Sequence, residues 1–228
     1  MRCRRCRAGV AASATRLCSE EEAEGELATA ESMGASLAVI GEPRYPPALA
    51  QVDAPPPLLY VKGRLELAEM PIVAIVGARN GSAVGQKFTR TLATELGDEG
   101  FVIASGLARG IDTAAHLAAL ELGTIAVLAA GIDNVYPPEN EELHRAIAEQ
   151  GLLISERAPS FSPRGKDFPR RNRLISGISL GVVVVKAAER SGSLITARFA
   201  GEQGREVFAV PGSPLDPRAA GTNNKKHR

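Results

Sequence analysis

Along this chain short apolar runs alternate with amphipathic stretches, and from Pro71 onward the alternation is regular. Residues 72–76 form an apolar run that ends at Gly77. Residues 83–97 repeat apolar positions at helical spacing and place Phe88, Leu92 and Leu96 on one predicted face. Further buried runs follow at 101–106 (FVIASG), 124–131 (TIAVLAAG), 152–155 (LLIS), 181–185 (GVVVV) and 206–212 (EVFAVPG). Helices are expected between them, at 112–122, around 141–149 and over 193–204. Upstream, SLAVI and LLYV read as short strands separated by proline-rich turns at 45–47 and 55–57. Residues 1–35 read as a helical lead, acidic over SEEEAEGELATAESMG. Strands that alternate with helices predict βαβ units: an α/β fold with a mostly parallel sheet covered on both faces.

In such sheets ligands sit off the carboxyl ends of the strands. The turns expected there are Gly77-Ala78-Arg79, the run from Ser105 to Gly110, Gly131, and Glu189-Arg190-Ser191-Gly192-Ser193. Glycine, small and basic residues gather in them. The densest internal positive patch is KDFPRRNRLISG, residues 166–177. It holds Lys166, Arg170, Arg171 and Arg173, with Phe168 and Asn172 among them and Asp167 as the one opposing charge. Guanidinium groups around an aromatic ring suit an anionic polymer with flat bases. The plainer alternative is a solvated helix N-terminus with a proline near its start.

Each turn also carries two readings. GARNGSAVG, residues 77–85, follows a strand and precedes a helix, where free N–H groups attract phosphate. It departs from G-x-G-x-x-G, which weakens a dinucleotide reading. Gly77 and Arg79 are candidate contacts; the alternative is a tight turn with a surface arginine. In SGLARGID, Gly106 and Arg109 are candidates, and Asp112 is expected to cap the following helix. Arg109 either binds phosphate or pairs with a carboxylate. In SGSLITA, Gly192 and Ser193 offer an anion pocket, whereas Ser191 or Ser193 as a plain N-cap is the alternative.

Composition narrows the classes. The 228 residues carry a net charge of +1, so nucleic-acid binding has to come from local patches. Six Phe, three Tyr and no Trp leave few stacking platforms. The three cysteines, Cys3, Cys6 and Cys18, crowd one end, and Cys3-x-x-Cys6 lacks the second pair that a zinc site needs. No disulfide framework, signal-peptide core or membrane span is read, so a cytoplasmic protein away from membranes is expected. Ser105 lacks a G-x-S-x-G frame, and neither H-E-x-x-H nor G-x-x-x-x-G-K-[ST] occurs. His116, one turn into a helix, reads as a surface or packed histidine. The residues therefore favour binding over chemistry, with no cofactor and no metal.

SGLARGID, FPRRNRLISGIS, SGSLITA, VFAVPG and GTNN stand in this order and spacing over residues 36–224. In this the chain resembles the DprA/Smf family of DNA-processing proteins. The resemblance implies an extended Rossmann-like, doubly wound core that binds single-stranded DNA without enzymatic activity. It further implies a homodimer that protects incoming DNA and helps load the RecA recombinase in natural transformation. It assigns DNA contact to Arg79 and Lys166, and matches Phe168, Arg171, Asn172 and Arg173 to the family's signature segment. Relatives usually read G-S-R at the first turn, and Ala78 here lacks that hydroxyl. They often carry a SAM-like helical domain, of which residues 1–35 read as a remnant, and continue with an apolar segment where this chain has the basic tail 225–228. That ending reads as a truncation or an altered reading frame, which touches the expected dimer. The rival reading is a nucleotide-binding or nucleotide-processing enzyme, phosphoribohydrolase-like, on a similar core; its P-G-G-x-G-T signature is absent, with VPGSPLDP the nearest piece.

Overall fold

The computed structural model describes residues 18–189, 191–213, 215–216 and 219–224. Cys3, Cys6, the arginine-rich N-terminus, Arg190 and the tail 225–228 lie outside the described residues. Eight strands form one sheet: β1 (Ser36–Val39), β2 (Leu58–Gly63), β3 (Ile72–Gly77), β4 (Val102–Ser105), β5 (Thr124–Leu128), β6 (Leu152–Ser155), β7 (Gly181–Val185) and β8 (Glu206–Val210). Their order is β1-β2-β6-β5-β4-β3-β7-β8. From β6 to β8 every pairing is parallel, while β2 joins β6 antiparallel and β1 joins β2 the same way.

The helices are α1 (Glu20–Ser32), α2 (Pro47–Ala50), α3 (Ala83–Asp98), α4 (Ile111–Ala119), α5 (Glu141–Gln150), α6 (Asp167–Gly177), α7 (Gly192–Glu202) and α8 (Ala220–Asn223). Side chains of a strand point to alternate faces, and β3 shows how this divides the core. Ala74 and Val76 pack with Leu174 and Ile175 of α6 and Ala197 and Ala200 of α7. Ile75 packs on the other face with Ala93 of α3 and Ile111 and Ala115 of α4. Both faces are covered, so β5 and β7 are buried along their whole length and read as unbroken apolar runs. The architecture is the doubly wound, mostly parallel Rossmann-like sheet that the sequence predicts.

The connection order creates one switch point. From β3 the chain steps through β4, β5 and β6 to one side, then returns to lay β7 on the other side of β3. Crossovers diverge there and leave a crevice off the carboxyl ends of β3 and β7. Segment 20–32 is not loose: a capping box joins Ser19 and Glu22, Ala30 is buried, and Glu26 bonds the Tyr60 hydroxyl. No helix among the described residues is long and apolar enough to cross a membrane.

Three local expectations need correction. Asp112 does not cap α4; Gly110 holds the N-cap position, and Asp112 sits inside the first turn. On α3 the fully buried residues are Thr89 and Ala93, while Phe88 is 42% exposed and Leu92 and Leu96 are half-buried. α3 packs chiefly against α4, and small residues let two helices approach closely, so the bulky ones fall to the flanks. Finally, the proline-rich turn before β2 contains the short helix α2, which proline permits in its first turn.

Among the described residues His116 is the most deeply buried titratable side chain, at 0% exposure. Thr124 Oγ1 donates its single proton to the Ile103 carbonyl at 2.9 Å, so His116 Nδ1, 2.7 Å away, must donate to that oxygen. Nε2 is buried with no acceptor for a second proton, so the ring is neutral. Burial, with the Arg171 charge adding to it, pushes its pKa down to about 3. The unfolded chain then binds a proton that the folded chain refuses, so stability is full above about pH 6.5 and falls as pH drops toward the folded value. Unfolding free energies from denaturant titrations between about pH 6.5 and about pH 5 are expected to fall by up to about 1.4 kcal/mol per pH unit from this residue, and His116→Met should remove that part. Identical slopes in the two proteins would refute the assignment.

Candidate nucleic-acid interface

The switch-point crevice holds a cavity of about 360 Å³. Val76 and Gly77 reach it from the end of β3, and Arg79 from the turn beyond. Phe168, Arg171 and Asn172 line it from α6, and Ser191, Gly192 and Ser193 from the start of α7. A second cavity, of about 250 Å³, shares Arg79, Ala108, Phe168 and Arg171 and adds Asn80, Arg109, Tyr136 and Pro137. A larger one, about 430 Å³, lies by α5 among Lys62, Asp133, Glu141, His144, Arg145 and Glu149. Its mixed charges include none of the expected contacts.

α6 starts at Asp167, whose carboxylate accepts from the Arg164 N–H at 2.8 Å and from Arg157 at 2.8 Å. Those partners hold the carboxyl below its usual range, the Arg164 N–H contributing most. The one acidic residue in the basic segment is thereby tied into the fold. The helix then sends its cations in different directions. Arg171, 7% exposed, turns under the sheet ends, and its Nη1 donates to the carbonyls of Gly106, at 2.8 Å, and Val127. Its Nε is buried without a partner while the residue lines both cavities. Burial lowers its pKa to about 10, against the pull of Asp112 and with help from Arg79. It stays charged at neutral pH.

Asp112 is buried close by, and its Oδ2 accepts from the N–H groups of Gly106 (3.1 Å) and Ala108 (3.3 Å). Desolvation raises its pKa, while the Arg171 charge and those two N–H groups oppose the rise. It pins the turn after β4 to α4 rather than capping the helix. Gly106 is glycine for a steric reason, because a Cβ would come within 2.7 Å of the Arg171 guanidinium. Gly77 is under the same constraint: a Cβ there would overlap the Val185 carbonyl and the Ile111 side chain.

The structure thus divides the expected residues. Arg79 is exposed, with its guanidinium 5.7 Å over the Phe168 ring, and Phe168 meets Tyr136 at 4.9 Å between centroids. Asn172 Nδ2 donates to the Gly192 carbonyl at 3.2 Å, which ties α6 to α7. Ser191 caps α7, and Ser193 is buried behind it. Arg171 and Arg173 are not the free surface cations that the spacing suggested. Arg173 pairs with Glu156 in a half-buried bridge; three residues on from Arg170 it lies on the same side of α6, and Glu156 stands beside both. Arg109 pairs with Glu139 at the surface. Lys166 is the exposed N-cap residue of α6 and lines neither cavity. Arg170 is exposed beside Glu156, Arg157 and Asp167. Tyr136 and Asn80 are the members that sequence reasoning missed. Tyr136 hides in a turn rich in proline, where its one signal is an aromatic ring shortly after the carboxyl end of a strand. Among the described residues no cluster of three or more His, Cys, Asp or Glu is placed to hold a metal ion.

Residues 36–227 match the family model described as DNA recombination-mediator protein A. The chain is 44% identical over 198 residues to DNA processing protein DprA of Bacillus subtilis, covering 86% of the chain and 67% of that protein. It is 44% identical over 192 residues to protein Smf of Synechocystis sp., covering 82% of the chain. It spans about half of that relative, at 48% of its length. Among solved structures, DNA processing protein A of Streptococcus pneumoniae superposes with a TM-score of 0.83 at 41% identity, over 91% of this chain and 72% of that one. DNA processing protein A of Helicobacter pylori, whose structure is described by its single-stranded DNA binding mode, gives 0.76 at 34% identity, over 83% and 86%.

The unequal placement of neighbouring arginines has a measurable consequence. Arg171→Ala strands two carbonyls and the Asp112 charge, and is expected to cost about 3–5 kcal/mol in denaturant unfolding. Arg170→Ala, one position earlier on the exposed side, is expected to change stability by no more than about 0.5 kcal/mol. Equal effects would show that Arg171 is not the buried anchor described.

Proposed function

The chain belongs to the DNA recombination-mediator protein A family, and from that premise we propose that its core binds single-stranded DNA as a recombination accessory and carries out no catalysis. The observation that supports this most is the pair of adjoining cavities at the β3/β7 switch point, with Arg79 and Phe168 shared between them. A single strand offers a phosphate and a flat base at each step. Exposed cations answer the first and aromatic faces the second.

In this reading the larger cavity takes a phosphate. Arg79 and the buried Arg171 supply positive charge, and Gly192 and Ser193 bring the positive, N-terminal end of α7. The smaller cavity takes a base against Phe168 and Tyr136. Lys166 and Arg170 extend the positive track along the exposed start of α6, and Arg109 sits at its rim. Arg173 acts from behind, holding α6 to Glu156. Asp112 is the carboxylate lining the larger cavity, and its bonds to two backbone N–H groups leave it a structural part. That favours binding over turnover.

The wider role assigned here is protection of incoming strands and loading of RecA by a homodimer in the cytoplasm. The single-stranded DNA named for the Helicobacter pylori relative supports the first part of it. The exposed edge strand β8, with Phe208 56% exposed and Leu180 beside it at 52%, offers a surface for a second copy.

The test is binding to a fluorescent oligo-dT across a salt series. Log affinity is expected to fall with log salt by about 0.7 per phosphate neutralised. Arg79→Ala/Lys166→Ala should weaken binding and flatten the slope by about 1.4, two phosphates' worth. Phe168→Ala should cost about 1–3 kcal/mol in affinity with the slope kept, since stacking releases no counterion. A salt dependence near zero in the unaltered protein would sink the reading.

A further inference from the structure

The connection that leaves β7 at Lys186 and enters α7 at Ser191 sets where the α7 N-terminus lies. One bond lies within it, from Ser191 N to the Ala188 carbonyl at 2.9 Å. Lys186 has φ +55°, a left-handed conformation that a residue with a side chain keeps only when its surroundings enforce it. The enforcement comes from the last described part of the chain. Gly221 N donates to the Ala187 carbonyl at 2.8 Å, and Thr222 N to the same oxygen at 3.2 Å. Asp216 pairs with Lys186 at 2.7 Å, while the same ammonium donates to Ser82, the α3 N-cap, at 3.3 Å. Gly221 fits without slack: a Cβ would fall 2.7 Å from the carbonyl oxygens of Ala187 and Ala188 and 2.8 Å from the Leu194 side chain. Real Cβ contacts with backbone are not that short, so any side chain here moves the connection.

We propose that α8 and Asp216 form a positioning clamp for the nucleic-acid site. By fixing residues 186–189 they fix the direction of the first N–H groups of α7, and so the phosphate subsite at Gly192 and Ser193. The segment touches no nucleic acid; it acts through the connection it grips. The inference rests on the single-stranded-DNA reading for its effect on binding, and on geometry alone for the clamp.

The experiment compares the unaltered chain with Gly221→Val, with Asp216→Asn, and with Leu215→Ser. Leu215 is 93% exposed in the same segment, and its variant serves as the control. Oligo-dT affinity is measured across salt, and amide hydrogen exchange without DNA. Gly221→Val is expected to bind about tenfold more weakly, the loss of one charge-assisted hydrogen bond. Its salt slope should be shallower by about 0.7, one phosphate. Exchange at the amides of Ser193 and Leu194 should quicken while β4 and β5 keep their protection. Asp216→Asn should show the same pattern more weakly, and decides the matter if Gly221→Val does not fold. Leu215→Ser should match the unaltered chain. Unchanged affinity and slope, or weaker binding with an unchanged slope and unchanged exchange at 193–194, would overturn the clamp. If the unaltered chain does not bind DNA, the proposed function falls, and the exchange result still decides whether the clamp exists.

Discussion

A guanidinium buried among carbonyl oxygens sits where the two halves of this fold meet. Arg171 reaches from α6 to the carbonyls of Gly106 and Val127, just beyond β4 and within β5. A charge with 7% exposure is tolerable only when its protons are matched and an opposite charge stands near. The carbonyls meet the first demand at Nη1, leaving Nε without a partner, and Asp112 meets the second. Much of the neighbourhood follows. Gly106 must lack a side chain, Asp112 must turn back to the Gly106 and Ala108 amides, and α4 must start with Gly110 rather than with that carboxylate. The arrangement puts a fixed guanidinium, with Asp112 as its counter-charge, at the cavity floor without spending an exposed side chain on it.

The proposed site therefore draws on residues that also pack the fold, and their separate contributions come from their second neighbours. Arg79, unpaired with any carboxylate among the described residues and resting over Phe168, is an exposed cation, the kind that the proposed site needs for a phosphate. Arg171 is the fixed kind, whose field is present before any ligand arrives. Arg173 and Arg109 are each neutralised by a glutamate and add little to the potential. A count of positive charges in the 166–177 segment overstates what solvent meets; a count of unpaired ones gives the track from Arg79 to Lys166 and Arg170.

Much of the architecture was legible in the sequence, because it depends on local periodicity. Val182 to Val185 can only be a strand covered on both faces, and the glycine turns after β3 and β4 mark carboxyl ends wherever the strands lie. The strand order was not legible. Nothing local in β7 says that it lies beside β3 rather than β6, yet that choice makes the crevice. The antiparallel pair β1 and β2 joins the sheet for the same non-local reason.

The sequence by itself determined the fold class, the basic segment around Phe168, and the turns from which a site is assembled. It did so because apolar spacing, glycine positions and charge density are properties of neighbouring residues. Only the tertiary structure decided which cations are free. Whether Arg170, Arg171 and Arg173 face solvent, sheet or Glu156 depends on the angle of α6 and on partners 17 to 65 residues away. It also brought Tyr136 to Phe168 and Gly221 to Ala187, because close packing between distant segments places them.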